Sequence, residues 1–135
     1  MTRTKLLIAL LVLYVAVLGR GQAERLFVPR HLDPFAPRPK AVEQLIVARR
    51  FAEALPLAAE LHANYPHEPL VSYWLATVNH GLNRAPAEAA AWTDFVRVSK
   101  APGDACPAWP EALSRAGQVE QARGAFDRCR ELQRP

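Results

Sequence analysis

The run Ala116-Gly-Gln-Val-Glu-Gln-Ala-Arg-Gly-Ala-Phe-Asp-Arg-Cys-Arg-Glu-Leu132 limits the fold more than any other part of the 135-residue chain. Ala122, Phe126 and Cys129 recur at spacings of four and three, one face of a helix, while Arg123, Asp127, Arg128 and Arg130 take the other faces. Ala116-Gly117 reads as the turn before it, because glycine accepts the left-handed backbone that ends a helix. The preceding helix is expected from Pro107 to Arg115, with its prolines near the first turn, where a missing amide has no partner to lose. Folding the two segments about Gly117-Gln118 sets opposite one another residues whose numbers add to 235. Leu113 then faces Ala122, Trp109 faces Phe126 and Cys106 faces Cys129.

With those residues in place the chain resembles a tetratricopeptide repeat (TPR), a helix-turn-helix unit of about 34 residues that stacks with its neighbours. Gly117, Ala122, Phe126, Cys129 and Pro135 follow the order of the family's marker positions. Similar spacing occurs upstream at Ala54, Ala58, Leu61 and Pro66, then at Ala89, Thr93, Val96 and Pro102. The steps Ala54 to Ala89 to Ala122, and Pro66 to Pro102 to Pro135, each come close to one repeat length. The expected fold class is therefore all-α: three TPR-like helix-turn-helix repeats, a short α-solenoid over 41–135, after an N-terminal hydrophobic helix and a Pro-rich linker.

Six helices are expected: Lys40 or Ala41 to Arg50, Phe51–Asn64, Pro69–Leu82, Pro86–Lys100, Pro107–Arg115 and one ending at Leu132. Leu45, Ile46, Ala48, Leu55, Ala58 and Leu61 are read as one core layer. Leu70, Trp74, Leu75, Val78, Ala89, Trp92, Phe95 and Val96 form the next. The family resemblance implies protein binding along the first helix of each repeat. That places Glu43, Ile46 and Val47, then Leu70, Tyr73, Thr77 and His80, then Glu111, Ser114 and Arg115, in a partner-binding groove. Leu70 and Tyr73 suit an apolar peptide side chain, and His80 and Arg115 suit a carboxylate.

The N-terminus is of another kind. Arg3 and Lys5 precede Leu6–Leu18, an uncharged run rich in Leu, Val and Ala. As a helix it spans about 20 Å against a hydrocarbon core of ~30 Å, which favours a signal-peptide core, although snorkelling of Lys5 and Arg20 narrows the gap. Residues 1–23 are thus a signal peptide cleaved after Ala23 or a signal anchor, and either way the remainder is expected to face the periplasm. Residues 24–40 hold Pro29, Pro34, Pro37 and Pro39 and read as an extended linker, with Phe27 and Phe35 as its partner-contact residues. Seven Lys/Arg against two Asp/Glu lie in residues 1–40, but ten against eleven in 41–135, so the net +4 belongs to the membrane-proximal end. That distribution argues against nucleic acid and fits anionic headgroups or a juxtamembrane partner.

An oxidising compartment allows Cys106 and Cys129 to form a disulfide closing a loop of about 24 residues, a contribution of roughly 3 kcal/mol; the alternative is two buried thiols. No catalytic constellation emerges. The four histidines, His31, His62, His67 and His80, lack the i, i+4 spacing of a helical zinc site, and no phosphate-cradling loop or nucleophile motif occurs. No catalytic residue, metal, cofactor or small-molecule substrate is therefore expected. The expected function is a non-enzymatic interaction scaffold, an accessory or assembly subunit of a membrane-embedded complex. The alternatives are a soluble periplasmic adaptor for a client protein and a thiol-disulfide couple at Cys106 and Cys129, near the start of a helix.

Overall fold

The computed structural model describes residues 37–135. Among them are six α-helices: α1 Pro37–Val47, α2 Phe51–Asn64, α3 Pro69–Gly81, α4 Ala85–Val98, α5 Ala108–Arg115 and α6 Val119–Leu132, with a 3₁₀ turn at Pro102–Ala105 before α5. The expected export segment, and the linker positions Phe27 and Phe35, lie outside the described residues. Helices pack on their neighbours in chain order, and α1 also touches α3.

The first hairpin corrects both ends of its opening helix. Its opening helix begins at Pro37, with Pro37 and Pro39 inside its first turn, and it ends at Val47. A first-turn amide has no intrahelical acceptor, so prolines there cost no ladder bond and do not have to sit in a linker. α2 carries Pro56 inside it, on an exposed position, and forgoes one backbone bond there.

Each hairpin is closed by the same backbone device. Arg49, Asn83 and Gly117 have φ of 57°, 55° and 77° and are evenly spaced along the chain, 49 to 83 to 117. At each, two amides return to the end of the preceding helix: Arg50 N–H to Leu45 C=O at 2.8 Å and Arg49 N–H to Ile46 C=O at 2.9 Å in the first hairpin. Arg84 to Asn79 and Asn83 to His80 repeat this at 2.9 and 3.0 Å, and Gln118 to Leu113 and Gly117 to Ser114 at 2.9 and 3.0 Å. This is the Schellman arrangement, which satisfies carbonyls that a helix end otherwise leaves bare. The helices that follow, α2, α4 and α6, are each 14 residues long and start at the same even interval, at 51, 85 and 119.

This period corrects the expected alignment of the middle hairpin. Ala54 and Ala122 correspond to Glu88, not Ala89, and the next two markers are Trp92 and Phe95, not Thr93 and Val96. Trp92 and Phe95 are buried, whereas Thr93 is exposed and Val96 half-buried.

Two apolar clusters form the interior and share Leu75 of α3. One gathers Val42, Ala54, Ala58, Leu61, Val71, Trp74 and Val78 from the first three helices. The other runs from Ala76 through Trp92 and Phe95 to Leu113, Ala122 and Ala125. Two residues expected in the core are not there: Ala48 is exposed at the end of the first hairpin's opening helix, and Leu70 is 49% exposed while its neighbour Val71 is buried. Phe51 joins the first hairpin to the second by lying with its ring where a Cβ on Gly81 would stand.

The third hairpin departs most from the others. Prolines at 102, 107 and 110 break up its first half, leaving an eight-residue α5. The Cys106–Cys129 disulfide ties the broken stretch to α6, with Cα atoms 5.8 Å apart and 23 residues of separation. Trp109 does not stack inward on Phe126. Its Nε1–H donates to Thr93 Oγ1 at 3.1 Å, and Phe126 is 43% exposed, because Ala122, Ala125 and Cys129 form the buried face of α6.

Two glycines of this hairpin separate backbone need from helix propensity. A Cβ on Gly124 meets nothing within 4 Å, so Gly124→Ala is expected to stabilise the chain by about 1 kcal/mol. Gly117→Ala, at positive φ, is expected to destabilise it by about 1 kcal/mol. Urea unfolding followed by the fluorescence of Trp74, Trp92 and Trp109 measures both. Reduction of the disulfide is expected to lower the same unfolding free energy by about 3 kcal/mol.

Candidate functional site

Helix α3 carries Leu70, Tyr73, Thr77 and His80 at spacings of three and four, so they share one face. Tyr73 is 44% exposed. Its ring meets Trp92 edge to face, centroids 5.8 Å apart and planes at 77°, and Trp92 meets Phe95 likewise at 5.7 Å and 82°. Such edge-to-face pairs hold a ring in one orientation, so Tyr73 is a surface aromatic fixed by the core beneath it. Thr77 Oγ1–H donates to the Tyr73 carbonyl at 2.9 Å and so turns back onto its own helix.

His80 and Arg115 converge on a residue that the sequence reading passed over. Glu88, in the first turn of α4, is 1% exposed. Its Oε1 accepts from Arg115 Nη2 at 2.9 Å and pairs with His80 Nδ1 at 3.1 Å, while Oε2 is buried without a partner. Nδ1 and Arg115 Nη2 lie 3.5 Å apart. An imidazole hydrogen on Nδ1 lets both groups donate to the same oxygen. The Glu88 hydrogen bond raises Arg115 above its already high ordinary pKa, against the opposing effect of burial and with help from the charges of Glu88 and Glu111. The first-turn position also places the Glu88 carboxylate at the positive end of the α4 dipole.

The carboxylate that His80 and Arg115 meet is therefore the protein's own. The Arg115 charge is answered internally by Glu88, and the exposed character of this face comes from Leu70 and Tyr73. Of the other residues expected in the groove, Glu43, Glu111 and Ser114 are exposed and Val47 is 80% exposed, whereas Ile46 is partly buried against the first core cluster. The structure brings together His80 and Arg115 but shows no direct bond joining Glu43 or Glu111 to them.

Glu88 stands midway in number between Ala54 and Ala122, one repeat from each, so the signal for it was present in the sequence. Among the described residues no group of three His, Cys, Asp or Glu side chains could hold a metal ion. His62 Nε2 lies 3.2 Å from Asp94 Oδ2 but in a geometry that makes no hydrogen bond, and His67 is exposed.

The three-residue cluster generates an asymmetric expectation. Arg115→Ala leaves the Glu88 carboxylate buried with only His80 to answer it, and is expected to cost about 3 kcal/mol. Glu88→Ala removes the buried charge, installs the residue found at 54 and 122, and returns a half-exposed arginine to water. It is expected to cost less, about 1 kcal/mol. Urea unfolding of the two variants side by side checks the order.

No family model, curated protein or solved structure matches this chain.

Proposed function

We propose that this chain is a non-enzymatic interaction scaffold of the tetratricopeptide kind, held at the periplasmic face of a membrane by residues 6–18, and an accessory or assembly subunit of a membrane-embedded complex. The observation that carries the reading is the exposed Leu70–Tyr73 pair, fixed on Trp92, in a hairpin whose closing turn recurs at even intervals. A rigid aromatic beside an aliphatic residue on a helix surface suits a partner's apolar side chain, and little entropy is lost when Tyr73 is already held. Turn and helix recur at the period characteristic of that repeat class, which supports the assignment. The anchoring role rests on the uncharged run of residues 6–18; among the described residues no helix is long and apolar enough to cross a membrane.

The thiol couple is the weaker reading, because Cys129 is 6% exposed and bridged to Cys106 within a packed hairpin, the setting of a structural disulfide. A soluble periplasmic adaptor differs from the anchored subunit only in losing residues 1–23.

Native mass spectrometry of the chain extracted from its own membranes in mild detergent tests the proposal. The expected species keeps residues 1–23, lacks two hydrogens and carries integral membrane proteins. A free chain beginning at Glu24 overturns the membrane assignment. Leu70→Asp and Tyr73→Ala are each expected to weaken partner retention at least roughly tenfold, the loss typical of a removed anchor; Leu70→Asp leaves the unfolding free energy within about 1 kcal/mol of wild type, whereas Tyr73→Ala, which also loses the Trp92 contact, lowers it by about 2 kcal/mol.

A further inference from the structure

One face of each hairpin's second helix recurs with the same period, and in the first two hairpins it is buried. On α2 that face includes Ala58, which is 0% exposed; on α4 the equivalent Trp92 is 7% exposed, with its ring against Tyr73 of α3. On α6 the equivalent residue is Phe126, 43% exposed, with Val119 two turns before it at 59%. The two rim a cleft of about 330 Å³ that Ala122 also lines. The face that is buried in the first two hairpins is thus bare at its third occurrence.

The charges beside that face specify what fits it. Along one flank run Glu120, Arg123, Asp127 and Arg130, alternating negative and positive, with Arg123 3.5 Å from Glu120 and Arg130 paired to Asp127. Read from the other end the order is positive, negative, positive, negative. The flank is its own complement when a second α6 lies against it in the opposite direction. Pairing residues whose numbers add to 250 sets Glu120 against Arg130 of the other copy and Arg123 against its Asp127, twice each by symmetry. The two-fold axis then passes beside position 125, and Phe126, one residue from it, lies opposite Gly124 of the other copy and two residues along from its own counterpart. Opposed charges beside an apolar seam fix helix direction and alignment in the same way in antiparallel helix pairs, and one patch used by both partners is the isologous geometry of a closed dimer.

We propose that α6 is the interface of a two-fold homodimer, with Phe126 beside its axis and the alternating flank setting the alignment. One 14-residue helix per copy makes a small interface of the weak class, so dimerisation falls in the micromolar range. The interface is separate from the Leu70–Tyr73 face, and each can be lost without the other.

Sedimentation equilibrium of the full chain in mild detergent across the micromolar range tests this. A monomer–dimer equilibrium is expected. Phe126→Asp is expected to weaken it roughly a hundredfold, and Arg123→Glu roughly tenfold, by setting two carboxylate pairs against each other. Adding Asp127→Arg to Arg123→Glu restores opposite charges across the axis and is expected to bring the dissociation constant back to within about threefold of wild type. The 71% exposed Arg123 side chain makes that substitution safe for folding. A wild-type chain that stays monomeric overturns the proposal, whether the face is bare or taken by another protein. So does a dimer indifferent to Phe126→Asp, as one held by residues 6–18 would be, or a double variant that is not rescued.

Discussion

Everything in the described part of this chain is phased by one backbone constraint, the left-handed residue that ends the first helix of each hairpin. Positive φ at Arg49 and Asn83 is unfavourable for residues with a Cβ, and the penalty is offset by two returning hydrogen bonds that satisfy carbonyls at the helix end. Because the turn repeats at an even interval, so do the starts of α2, α4 and α6 and the inward faces they present. Stacking follows from that repetition. A hairpin buries one face on its partner helix and has a second face that only the next hairpin can cover.

The third hairpin shows what happens when the repetition is incomplete. Its first helix is shortened by prolines to eight residues and buries less apolar surface than α3 does. Three links that do not depend on apolar area fasten it instead: the Cys106–Cys129 disulfide to α6, the Arg115–Glu88 ion pair to α4 and the Trp109–Thr93 hydrogen bond, also to α4. The second link explains why a carboxylate occupies a site where the other hairpins have alanine. Glu88 is long enough to reach both the end of α3 and the end of α5, and its pair with a half-exposed arginine joins neighbouring hairpins where the core is thin.

How much of this could be read from the chain depended on the residue types at the turns. At 117 the left-handed position is a glycine, which announces it; at 49 and 83 it is arginine and asparagine, which announce it weakly or not at all. The middle hairpin was misaligned by one residue because alanines at 85, 87, 89, 90 and 91 make a small-residue marker uninformative there. The prolines at 66, 102 and 135 misled for another reason. Pro66 and Pro102 sit in connections between hairpins, whose length varies, and Pro135 lies beyond the end of α6, so their spacing does not report the period of the helices. Pro37 and Pro39 looked like linker because composition does not reveal whether a proline stands before a helix or in its first turn.

The sequence by itself determined the all-helical class, the limits of α2, the end of α6 and the register that sets Cys106 opposite Cys129, because each rests on local periodicity or on a single glycine-marked turn. Only the tertiary structure decided that His80 and Arg115 meet across 35 residues on a buried glutamate, that Tyr73 is held by Trp92, and that Phe126 faces outward. Those outcomes depend on which side of a helix a neighbour covers. Spacing along one helix says which residues share a face, but the choice between faces is made by the helix that packs against it.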